Sequence, residues 1–100
     1  MKTLAIFVIS DRHMEYVFPL AQAAHREGVM VCVHLLGSGV HLVRQEAFER
    51  LAALARISIC GESAEFFQVD RQLAKERQGK IVPAGEMARI LRRCDRHLFI

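Results

Sequence analysis

The residues with the most chemistry to offer stand together at Ile57-Ser58-Ile59-Cys60-Gly61-Glu62-Ser63-Ala64. A cysteine follows β-favouring positions, a glycine permits a sharp turn, and Ser63 is a good helix N-cap. The pattern predicts a short buried strand that delivers a thiol to the place where the next helix begins. Unpaired backbone N–H groups and the positive end of the helix dipole would there favour the thiolate, lowering a pKa that is ordinarily about 8.5. Glu62 opposes this, because a carboxylate two residues away favours the neutral thiol. The plainer alternative is that Cys60 is only the last small apolar residue of its strand.

Positioning that thiol requires a sheet, and the chain alternates strand and helix patterns five times. Thr3 to Ile9 is a continuous apolar run, too short for a helix, as expected for a strand buried on both faces. Met14, Val17, Phe18, Ala21 and Ala24 fall at helical spacing, with Pro19 tolerated in the first turn and Gly28 as a left-handed cap. Val29 to Leu36 reads as the second strand and Gly37-Ser38-Gly39 as a flexible loop. A second helix is predicted over about Arg44 to Ala55, and a third from about Ala64 to Gln78-Gly79. Lys80 to Pro83 is a brief strand. Met87, Ile90, Leu91 and Cys94 form the apolar stripe of a last helix, and His97 to Ile100 closes the chain as a strand. The expected fold class is α/β, a three-layer α/β/α sandwich around a five-stranded, mostly parallel sheet, with 1–100 as one domain.

In such a sheet the C-terminal ends of the strands share one rim, where ligands bind. Four loops meet there: Ser10 to His13, Gly37 to His41, Cys60 to Ser63, and Pro83 to Gly85. His13, His41 and Arg12 are thereby expected within reach of Cys60, to stabilise a thiolate or act as a general base. Arg12, Ser38, Gly61, Glu62 and Ser63 are the expected substrate-binding residues. The five histidines show no metal-ligand spacing, and no metal is expected. Gly37-Ser38-Gly39 lacks the phosphate-loop pattern. Cys32, mid-strand, and Cys94, on a helix stripe, read as inert packing residues. Phe66-Phe67 is too much aromatic surface to bury in so small a domain and is expected at a subunit interface.

Composition narrows the class. One hundred residues, 52% of them hydrophobic, make one globular domain. A net charge of +3, with basic and acidic residues interspersed, gives no reason to expect nucleic acid. Arg89, Arg92, Arg93 and Arg96 read as the solvated side of the last helix. The three cysteines are widely spaced and odd in number, which suits reduced thiols and a cytoplasmic location. No apolar stretch approaches membrane length, and the N-terminal run lacks a cleavage signal.

The Ile-Cys-Gly-Glu-Ser-Ala segment at Ile59 to Ala64, the Lys80-Ile81-Val82-Pro83-Ala84-Gly85-Glu86-Met87-Ala88 segment and the closing Cys94 to Ile100 together resemble the DsrE/DsrF-like family over essentially the whole chain. The resemblance implies an α/β/α sandwich assembled into trimers, hexamers or related oligomers. It further implies a cysteine after the third strand that carries a persulfide between donor and acceptor proteins without a cofactor. Cys60 stands at the matching position. With no second cysteine nearby in sequence, the sulfur would pass to another subunit or protein. Two other functions compete: a non-catalytic oligomeric domain holding a small anion or nucleotide at the rim, and a thiol sensor of peroxide.

Overall fold

A computed structural model describes residues 2–100. Strands β1 (Thr3–Val8), β2 (Met30–Leu35), β3 (Ala55–Cys60), β4 (Lys80–Val82) and β5 (Arg96–Phe99) form one sheet in the order β4-β3-β2-β1-β5. Every pairing is parallel. From β1 to β4 the chain steps steadily towards one edge, and right-handed crossovers then put all the intervening helices on one face. These are α1 (Val17–Arg26), α2 (Ala47–Ala52), α3 (Gly61–Phe66) and α4 (Arg71–Glu76). The return from β4 to β5 runs the other way, so α5 (Glu86–Arg93) covers the opposite face. The result is the expected three-layer sandwich, with a wholly parallel sheet.

Strand alternation sorts the core into two unequal parts. Ile6 and Val8 of β1, Val31, Val33 and Leu35 of β2, and Ile57 and Ile59 of β3 face the four helices, where Val17, Phe48, Leu51 and Ala74 complete the larger core. Ala5, Phe7 and Ile90 form a small second cluster under α5, edged by Leu36, Met87, Leu91 and Cys94.

Three local readings change in the folded chain. The Gly37-Ser38-Gly39 connection is a tightly packed turn opening a 3-10 segment, Gly37–Arg44, rather than a flexible loop. Gly37 has φ of 55°, and a Cβ there would lie 2.6 Å from the Ile9 carbonyl oxygen; at Gly39 a Cβ would collide with the Val8 carbonyl. Both glycines are required where this turn lies on the end of β1. The helix predicted to begin at Arg44 is confined to α2, because the 3-10 segment takes its start and β3 its end. The helix predicted from Ala64 to Gln78 is two helices. Gln68 breaks it at φ 56°, and the Asp70 side chain caps α4 by accepting from the Gln72 N–H at 2.9 Å.

Candidate functional site

The rim loops do converge. The Asp11 N–H donates to Ser38 Oγ at 3.0 Å, and the Gly37 N–H donates to Ser63 Oγ at 2.9 Å. Hydrogen bonds therefore join the loop after β1 to the turn after β2, and that turn to the start of α3. Ser63 consequently does not cap α3. Helix formation begins at Gly61, the cap position falls to Cys60, and the Ser63 hydroxyl is committed to the neighbouring turn. Gly61 lies against β4, where a Cβ would meet the Val82 carbonyl oxygen at 3.3 Å. Beside it, Glu62, Glu65, Arg71 and Pro83 line an open cleft of about 380 Å³.

Cys60 is more enclosed than expected. It ends β3 with extended dihedrals (φ −62°, ψ 119°) and is 7% exposed. Alternation puts it on the same side as Ser58, the α5 side, because Ile57 and Ile59 belong to the larger core. This face also explains why the expected companions do not gather around it. The 3-10 segment bearing His41 packs on the larger core, as does the segment after β1. His41 sets its ring edge against Phe67, centroids 5.2 Å apart, and its Nδ1 lies 2.6 Å from the Arg44 guanidinium. His13 is exposed, its ring 6.1 Å from that of Tyr16, and Arg12 is exposed with its backbone N–H directed to Ser10 Oγ. Among the described residues no hydrogen bond joins Cys60 to any of the three. Phe66 is 79% exposed, whereas Phe67 is half-buried against the core and His41.

The α5 side carries polar groups of its own. His34 of β2, 1% exposed, pairs in register with Ser58, and its Nδ1 lies 2.7 Å from Ser58 Oγ. Burial pushes the His34 pKa below the ordinary 6.5, partly offset by the Glu86 carboxylate of α5. Cys60 lies one pleat further along the same face, the diagonal neighbour of His34.

No family model and no curated protein matches the chain. Its fold is similar to that of a conserved protein of unknown function from Bacteroides thetaiotaomicron, with a TM-score of 0.82 at 17% identity over 99% of this chain and 95% of that one. At that identity the likeness establishes the fold alone.

Two features of the α5 side escaped the residue-by-residue reading. His34 was one histidine among apolar strand residues, yet its even position marks the side opposite Val33 and Leu35, and Ser58 shares that parity. Cys32 and Cys94 looked like separate packing residues but are neighbours. Burial foremost, and next the adjacent Cys94 thiol, push the Cys32 pKa above its ordinary 9.0, while Arg93 and Arg56 act in the opposite sense. That adjacency is tertiary, and no local spacing announces it.

Proposed function

We propose that this chain is a sulfane-sulfur carrier of the kind its resemblance to DsrE/DsrF-like proteins implies, with Cys60 as the carrying residue. The observation that supports it is the position of Cys60: a thiol ending a central-sheet strand at the rim, under the thinner layer, outside both hydrophobic clusters. In the reaction the Cys60 thiolate attacks the outer sulfur of a donor persulfide. An S–S bond forms on Cys60, the donor's S–S bond breaks, and the donor leaves as a thiolate. An acceptor thiolate then takes the outer sulfur in the same way and regenerates Cys60. His34 and Ser58 are the polar groups on the side from which donor and acceptor approach, replacing the role first expected of His13 and His41. The limited exposure of Cys60 shields the persulfide from solvent.

The test is intact mass after incubation with a low-molecular-weight persulfide. Wild type and the Cys32→Ser/Cys94→Ser double variant should gain one sulfur, and Cys60→Ser should gain none. No gain in wild type, or a gain that survives Cys60→Ser, removes the assignment.

A second reading is favoured by the near-complete burial of Cys60 together with the 79% exposure of Phe66: an oligomeric domain without thiol chemistry. Here Phe66, more than Phe67, makes the subunit contact. Phe66→Glu should reduce the sedimentation mass of an assembled wild type. A wild type that sediments as a monomer, or an assembly indifferent to Phe66→Glu, ends this reading.

A further inference from the structure

The geometry points to Cys32 and Cys94 as a reactive dithiol that closes to a disulfide by exchange with small or protein disulfides. This is an activity separate from any role of Cys60. The two residues lie 62 positions apart in sequence, and three sets of constraints bring them together. Cys32 pairs in register with Ala5 of β1 and faces α5. Cys94 ends α5 and packs on the Ala5-Phe7-Ile90 cluster. The next residue is tied to β1 as well: the Asp95 N–H donates to the Thr3 carbonyl at 3.1 Å, and the Thr3 N–H donates to the Asp95 carboxylate at 2.9 Å. Arg96 then enters β5 opposite Leu4. Cys94 is thus anchored against Ala5, the β1 residue that pairs with Cys32, and its thiol is a neighbour of the Cys32 thiol.

The two thiols are also more accessible than that of Cys60. Both are half-buried, whereas Cys60 is 7% exposed. Burial and the adjacent Cys94 thiol hold the Cys32 pKa above its ordinary 9.0, and the Arg93 and Arg56 guanidiniums beside it act in the opposite sense, towards the thiolate. In the reaction one thiol loses its proton and attacks a disulfide, forming a mixed disulfide and releasing one thiolate. The second thiol, likewise deprotonated, attacks the protein sulfur of that mixed disulfide and releases the other half. Two protein thiols are oxidised by two electrons, and one disulfide is reduced to two thiols. The new bond pins the C-terminal end of α5 to β2, fastening the helix that packs on Ala5 and Phe7 and brings Glu86 near His34.

The experiment equilibrates the full chain with oxidised glutathione, quenches with acid, denatures, alkylates the free thiols and weighs the intact protein before peptide mapping. The expected product has lost two hydrogens, accepts one alkyl group in place of three, and yields a Cys32–Cys94 peptide that a dithiol reductant removes. Cys32→Ser and Cys94→Ser should each stop at a retained glutathione, while Cys60→Ser should close the bond as wild type does. Three alkylatable thiols, a persistent mixed disulfide in wild type, or a bridge that includes Cys60 would each overturn the proposal. It does not rest on the sulfur-carrier reading, since a failed mass gain at Cys60 leaves this bridge unaffected.

Discussion

The two faces of the sheet are built on different terms. Under α1 to α4 the strands present Ile6, Val8, Val31, Val33, Leu35, Ile57 and Ile59, all apolar and all nearly inaccessible. Under α5 the same strands present Cys32, His34, Ser58 and Cys60 beside Ala5 and Phe7. The cause is topological. Three crossovers of one sense put four helices on one side, and the single return leaves an eight-residue helix to cover the other. A thick layer excludes water and can be paid for only with hydrocarbon. A thin one admits groups that hydrogen-bond, titrate and react. Stability should therefore reside chiefly on the first face and chemistry on the second.

The largest expected effect tests the first half of that contrast. Phe48 of α2 is fully buried in the larger core, and Phe48→Ala should cost about 3–5 kcal/mol. Leu91→Ala on half-buried α5 should cost much less. Urea unfolding of both variants measures the difference, and equal losses would break the contrast.

The next effect is smaller and belongs to the second face. His34 is buried with its pKa depressed, so the unfolded chain binds its proton more readily than the folded one. Its contribution to stability is fully present above the unfolded value of 6.5 and is lost as pH falls from there towards the lower folded value. Glu86 on α5 moderates the loss by favouring the imidazolium. Asp95, held below its ordinary 3.8 by hydrogen bonds from Thr3, acts only in a more acidic window. Urea midpoints measured between about pH 8 and pH 5 should fall with acid in wild type and flatten in His34→Gln. Ser58→Ala should cost about 1–3 kcal/mol at neutral pH by leaving the buried Nδ1 without its partner. A wild type with no acid limb in that range would show that His34 takes up its proton as easily folded as unfolded.

How much of this was legible in advance follows the same division. The continuous apolar runs at β1 and β2, the helical stripes and the cap at Gly28 announced a parallel α/β sheet because each signal is local. The division of the Ala64 to Gln78 helix was also written locally, in Asp70 as a cap, but the apolar stripe through Phe66, Val69 and Leu73 masked it. Gathering His13 and His41 around Cys60 assumed that residues at one rim share one face. The rim is common to both faces, and strand parity separates them. Parity could have placed Ser58, His34 and Cys60 together, since each alternates with residues of an apolar run. The Cys32–Cys94 adjacency could not be foreseen in that way, because it depends on where α5 lands after crossing the sheet.

The smallest effect probes whether α5 unfolds with the rest of the molecule. Its N-cap, Gly85, makes no side-chain hydrogen bond, in contrast to Asp70 at the start of α4. Gly85 has φ of −65°, a conformation any residue adopts, and a Cβ there would meet nothing within 4 Å. Gly85→Ala should then stabilise the folded state by about 0.4–1 kcal/mol, chiefly by restricting the unfolded chain. If α5 opens separately from the sheet, amide exchange will slow within α5 while the urea midpoint stays where it was. If the layers unfold as one unit, the midpoint and the exchange of β1 will rise together. The first outcome makes α5 a layer that opens independently on the His34 side of the sheet; the second makes the packing of Ile90 on Ala5 and Phe7 part of the global cooperative unit.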